Sequence, residues 1–184
     1  DYPSELFEVI VVDGDSTDGT AELARKKIAE LARSTWQVLP NPKRLASAAR
    51  NIGVARSRGD YILIIDGHVH LPSRSLLSAT AQAIRATGAE ILGRSQRLSP
   101  PNISQFQASV AAVRGSRIGH GRGSLIYSDV EGWAAPNSIA VMYHRSLFER
   151  FGTFDESFDA AEDYEFNSRL ARAGLRCWTS PSLE

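Results

Sequence analysis

Tyr61-Ile62-Leu63-Ile64-Ile65-Asp66-Gly67-His68 is the stretch whose reading decides the fold. Its apolar run is short, rich in β-branched residues and closed by Gly, which predicts a buried strand rather than a helix. An acidic turn capable of holding a metal follows directly. The same arrangement occurs earlier, where Val9-Ile10-Val11-Val12 runs into Asp13-Gly14-Asp15-Ser16. In an open α/β sheet, ligands bind beyond the carboxyl ends of the strands. Two such strand ends predict one crevice lined by carboxylates. Asp and Gly are also common in βα turns for backbone reasons alone. The repetition, together with a third acidic segment near residue 162, favours a site.

Working outward, strands and helices alternate. A helix is expected over 17–34, capped by Ser16-Thr17-Asp18-Gly19-Thr20, with Ala21, Leu23, Ala24, Ile28 and Leu31 at helical spacing. A strand at Trp36-Gln37-Val38-Leu39 leads through Pro40-Asn41-Pro42-Lys43-Arg44 into a helix over 45–58, ended by Gly59. After the Asp66 turn, Pro72 is expected to start a helix over 73–87, followed by a strand at 89–93. Beyond a possible short helix over 102–113, a strand is expected at 136–142 and helices at 145–151 and 162–173. This alternation predicts an α/β fold with a mainly parallel sheet and helices on both faces.

Composition narrows the function. The chain has 184 residues, enough for one domain with a sizeable core, and 42% of them are apolar. Lys plus Arg and Asp plus Glu number 21 each, so the basic footprint of a nucleic-acid-binding protein is missing. The single cysteine, Cys177, excludes an internal disulfide and reads as a small core residue in a reducing, cytoplasmic setting. No run approaches the roughly 18 apolar residues of a membrane helix, and no signal peptide is visible. Starting at Asp1 without Met, the chain reads as part of a longer protein.

Two segments carry candidate chemistry besides the strand ends. Residues 114–123, rich in Gly and Arg, suit a loop over an anionic or sugar-bearing ligand, or an irregular surface segment. Asp159, Glu162, Asp163 and Glu165 crowd one helix start. Acids there favour the helix dipole, and a carboxylate facing the crevice can serve as a general base. Arg169 is spaced to pair with Glu165, Asn137 is a possible acceptor contact, and Trp133 and Trp178 read as packing residues.

Taken in order, several motifs resemble those of family 2 glycosyltransferases. They are Val11-Val12-Asp13-Gly14-Asp15-Ser16-Thr17-Asp18-Gly19-Thr20, Ala48-Ala49-Arg50-Asn51-Ile52-Gly53, Gly59 to His68, Phe151-Gly152-Thr153-Phe154-Asp155-Glu156, and Glu162-Asp163. The Asp-Gly-His form, Ile118-Gly119-His120-Gly121 and Tyr127-Ser128-Asp129-Val130-Glu131-Gly132 are similar to a subgroup of succinoglycan glucosyltransferases.

The resemblance covers nearly the whole chain and implies a GT-A nucleotide-diphospho-sugar transferase fold, with residues 1–184 as one catalytic domain. It implies inverting transfer of a sugar, typically from a UDP-sugar, to a saccharide or lipid-linked acceptor in exopolysaccharide synthesis. Asp13 would then contact the base, Lys43 and Arg44 would lie near the nucleotide, and Asp66 would meet the ribose or metal-bound groups. Asp163 would deprotonate the acceptor hydroxyl. The family's Asp-x-Asp ends here in His68. Imidazole suits Mn²⁺ better than Mg²⁺ as a metal ligand; otherwise His68 contacts phosphate or caps the turn.

The resemblance implies a further βα unit ahead of the Asp13 strand, which the residues before Glu8 are too few to be expected to supply. An unpaired sheet edge there would favour self-association. The resemblance also implies a place at the cytoplasmic face of the cell membrane, through segments outside this chain. A nucleotidyltransferase and a non-catalytic nucleotide- or sugar-binding module are the competing readings.

Overall fold

The computed structural model describes residues 2–71, 73–94, 103–116 and 130–183. Pro72, the segment 117–129 with its Gly-rich stretch and His120, and the Tyr127-Ser128-Asp129 motif lie outside the described residues. Strand β1 (Ile10–Asp13) pairs in parallel with β2 (Gln37–Pro40), joined by helix α1 (Thr20–Glu30). Helix α2 (Ala46–Arg56) leads to β3 (Tyr61–Leu63), and α3 (Leu76–Thr87) leads to β4 (Ile91–Gly93). Then come α4 (Gln105–Gly115), β5 (Gly132–Ala134), a 3-10 turn at Pro136–Ser138, β6 (Ala140–His144), α5 (Ser146–Phe151), α6 (Glu162–Arg172) and β7 (Cys177–Thr179).

Two sheets result. One is β1-β2, and the other has the order β3-β6-β4-β7-β5. Within the larger sheet β6 runs antiparallel between β3 and β4, and β7 lies parallel to β4. Strands β3, β4 and β7 therefore share one direction, while β5 and β6 oppose them. Among the described residues β1 and β3 are each paired along one edge only.

Side-chain alternation places helices on both faces of this sheet. Ile62 and Ile91 point into a core shared with Val54 of α2, Leu147 and Phe148 of α5, and Phe166 and Leu170 of α6. Tyr61, Leu63 and Leu92 point the other way, with Ala79, Ala83 and Ile84 of α3. On β6 the register skips Val141 at the Leu92/Gly93 position, so Ala140 and Tyr143 share the first core while Met142 joins the second. That bulge is what keeps both faces filled.

Several local expectations needed correction. Residues 136–142 do not form one strand: Pro136–Ser138 turns, and β6 starts at Ala140. Proline lacks the amide a ladder needs, so the turn wins there. Gly59 does not end α2; Ser57 does, in extended geometry, with its hydroxyl donating to Val54 O at 2.9 Å. Helix α3 starts at Leu76 behind Ser75 rather than at residue 73. No side chain caps α1 at its N-cap residue, Gly19 (φ 84°); Asp18 instead accepts from the Thr20 amide at 3.0 Å and hydroxyl at 2.6 Å. Cys177 is buried as expected, and burial pushes its thiol up to about 12. No helix among the described residues is long and apolar enough to cross a membrane.

Candidate active site

The site is built around the ends of β1 and β3 and the start of α6. Asp13 is the last residue of β1. Ser16, through its hydroxyl and its backbone amide at 3.0 Å, holds the Asp13 carboxyl below the usual carboxylate range. The Asp13 carbonyl accepts from the Asn41 amide at 2.7 Å, which brings the loop carrying Lys43 and Arg44 beside the β1 end.

Both basic side chains already have acidic partners. Arg44 pairs with Asp15, while Lys43 reaches Glu156 at 2.6 Å. Lys43 holds the Glu156 carboxyl below its ordinary range, helped by the Asn51 side chain at 2.9 Å. Asp15 (φ 65°), Arg44 (φ 58°) and Ala161 (φ 64°) adopt left-handed backbone, which is strained for residues with a Cβ. Among the described residues, three of the four non-glycine residues with positive φ carry or adjoin these charged groups, and strain of this kind collects at functional sites.

Past β3, the chain holds its register for one more residue, as Ile64 N donates to Val141 O at 2.9 Å. A turn then closes, with Val69 N donating to Asp66 O at 3.0 Å. Asp66 and His68 are exposed on this turn. Among the described residues no three His, Cys, Asp or Glu side chains gather closely enough to cage a metal. A carboxylate and an imidazole two residues apart fit a divalent ion that takes its remaining ligands from a diphosphate and water.

Arg50 is the residue that the sequence reading passed over. It lies within the Ala48-Ala49-Arg50-Asn51 motif, but nothing in spacing alone assigns it a partner. In the fold its side chain is only 12% exposed, and the guanidinium lies 3.1 Å from Asp66, 2.7 Å from Glu162 and 4.0 Å from Asp163. Asp66 and Asp163 are thus brought to one cation from two elements. Glu162 is buried and Asp163 is exposed, so only the second faces the crevice freely.

A braced loop completes the wall. Arg169 pairs with Glu165 at 2.7 Å, as its spacing predicts, and also donates to the carbonyls of Phe151 and Thr153. Gly152 permits this wrap through its φ of 77°, a backbone geometry that side chains resist. Asn137 donates to Ser168 on α6 at 3.3 Å rather than standing free for an acceptor. Trp133 packs edge-on against Trp178 with ring centroids 5.6 Å apart, and remains 42% exposed.

These acidic strand ends and the carboxylate helix start sit on an α/β fold of the GT-A class, as two solved structures show. A mannosyltransferase of Pyrobaculum calidifontis, in complex with GDP-Man and Mn²⁺, superposes with a TM-score of 0.69 at 24% identity, over 100% of this chain and 48% of its own. Staphylococcus aureus TarS, residues 1–349, gives 0.68 at 19% identity, over 98% of this chain and 50% of its own.

Residues 1–150 match Glycosyl transferase family 2, and the chain belongs to that family. The succinoglycan biosynthesis protein ExoA of Rhizobium meliloti is 36% identical over 92% of this chain and 50% of its own length. A dolichyl N-acetyl-alpha-D-glucosaminyl phosphate 3-beta-D-2,3-diacetamido-2,3-dideoxy-beta-D-glucuronosyltransferase of Methanococcus voltae is 27% identical over 100% of this chain and 57% of its own. The chain therefore spans about half the length of the curated relatives it matches.

Proposed function

We propose that this chain carries the donor site and the base of a glycosyltransferase acting in polysaccharide synthesis. The donor is a nucleotide-sugar, with UDP as the carrier, and the acceptor is a hydroxyl of a saccharide or lipid-linked saccharide. One observation carries the reading: Asp66, on the turn that follows β3, and Asp163, at the start of α6, approach the same guanidinium. Donor and acceptor roles can then meet across one short gap.

Asp13 and the adjoining loop bind the nucleoside. Asp66, with His68, would hold a divalent ion, Mn²⁺ in preference to Mg²⁺, which supplies charge neutralisation at the diphosphate. Asp163 takes the proton of the acceptor hydroxyl. The acceptor oxygen forms its bond to the anomeric carbon as the bond to the diphosphate breaks, and the nucleoside diphosphate leaves with the electron pair. Attack from the face opposite the leaving group inverts the anomeric centre. Lipid-linked acceptors would place the domain at the cytoplasmic face of the cell membrane.

Calorimetric titration of UDP, with and without Mn²⁺, tests this. Mn²⁺-dependent binding that Asp66→Ala abolishes is the expected result. Absence of binding to any nucleoside diphosphate, with Mn²⁺ present, overturns it.

A further inference from the structure

We propose that Arg50 is a positioning residue that couples the donor side of the crevice to the acceptor side. The inference rests on the donor and base roles given above for Asp66 and Asp163. Arg50 reaches two different elements: its Nη2 atom donates to Asp66 at 3.1 Å, and its Nη1 atom lies 2.7 Å from Glu162 as an ion pair without hydrogen-bond alignment. The fork of a guanidinium suits such bridging, where an ammonium would act as one point charge.

Burial decides what each contact does. Glu162 is only 4% exposed, so its charge requires compensation within the protein, and Arg50 is the cation beside it. It is therefore an anchor for the first turn of α6 and is shielded from an acceptor. Asp163 follows it on the exposed side, 4.0 Å from the same guanidinium. Asp66, half exposed, is the partner that a ligand can take away. Phe154 floors the arrangement, with its ring centroid 5.6 Å from the guanidinium carbon.

The consequence is a link between occupancy and helix order. A nucleotide that engages Asp66 competes with Arg50 for that carboxylate. Arg50 then belongs wholly to Glu162 and Asp163, and the first turn of α6 tightens. Asp163 is set in place when the donor is present and held less firmly when it is absent. Glu165 N donates to Ala161 O at 2.9 Å, a backbone hydrogen bond of the first turn of α6 that can report this tightening.

Hydrogen exchange at the amides of residues 165–167 tests the link, with UDP or GDP plus Mn²⁺ as probe and calorimetry to confirm binding. In the wild-type protein the probe slows exchange there by about threefold or more. Arg50→Lys and Glu162→Gln still bind the probe, and the slowing disappears. Glu162→Gln keeps the side-chain shape, so it carries the test if Arg50→Lys fails to fold. Slowing that persists in the variants, or probe binding to the wild type without slowing, overturns the link and leaves the donor reading intact. No binding to the wild type overturns both.

Discussion

Asn51 and the backbone of Phe154 close a two-bond ring across 103 residues of sequence: Asn51 Nδ2 donates to Phe154 O at 2.9 Å, and Phe154 N donates to Asn51 Oδ1 at 2.9 Å. Asn51 also donates to Glu156 at 2.9 Å. Replacing it with Ala strands two partly buried backbone groups at once. Asn51→Ala is expected to cost about 2–3 kcal/mol, read as a lower urea midpoint with unchanged slope. A loss under about 0.5 kcal/mol would show that water replaces the ring without penalty.

Acid should loosen the same corner. Lys43 and Asn51 hold the Glu156 carboxyl below the ordinary glutamate range, and Ser157 depresses Asp155 in the same sense. A folded-state value below the unfolded one means the stabilisation is present above the unfolded value and is lost as pH falls through the folded one. Melting temperature should hold from about pH 7 to about pH 5 and then decline. In Lys43→Met the decline should be shallower. Identical curves for both proteins would mean that the Lys43–Glu156 pair does not contribute.

Gly93 is required by packing rather than by backbone freedom. A Cβ built there meets Ile139 Cγ1 and Cδ1 at 2.8 Å. Gly93→Ala should destabilise by about 1–3 kcal/mol, as overpacking does. Adding Ile139→Val removes one of the two clashing atoms and should recover part of the loss. Equal stability of the single and double variants in denaturant melts would contradict this account.

The acidic strand ends were legible because short β-branched runs closed by Asp-Gly leave few alternatives. Strands β5 and β7 were not: Gly132–Ala134 and Cys177–Thr179 each hold at most one β-branched residue and extend no apolar run of the kind that flags β3. Their tryptophans pair across the ladder, a tertiary fact that no local window contains. Asp163 stood out in the sequence as an acid at a helix start. Arg50 did not, because its meaning lies in which carboxylates the fold delivers to it. The expected links from Lys43 and Arg44 to a nucleotide sit beside pairings with Glu156 and Asp15 that spacing could not reveal.

His68 is the residue expected to set metal preference. His68→Asp restores a second hard oxygen ligand to the turn, and oxygen donors suit Mg²⁺. Nucleoside diphosphate binding by this variant should become supported by Mg²⁺ about as well as by Mn²⁺, whereas the parent should favour Mn²⁺ by about tenfold or more. Calorimetry with each ion measures both. An unchanged Mn²⁺-to-Mg²⁺ ratio would place His68 outside the metal's ligands.

Asp163 and its neighbour Glu162 separate the base from its support. Asp163 is exposed, and its Oδ1 accepts from the Tyr164 amide at 2.7 Å, which fixes the carboxylate without burying it. Asp163→Asn keeps the shape and removes the basic oxygen. Turnover is expected to fall by about 10²–10⁴-fold, the usual contribution of a positioned general base, with donor affinity unchanged. Donor affinity serves as the internal control, because the proposed partner of Asp163 is the acceptor rather than the nucleotide. A parallel loss of donor affinity would assign Asp163 to the donor site instead. Full retention of turnover would move the base elsewhere in the crevice, and the exposed acids of the braced loop, Asp155 and Glu156, would be the next to replace.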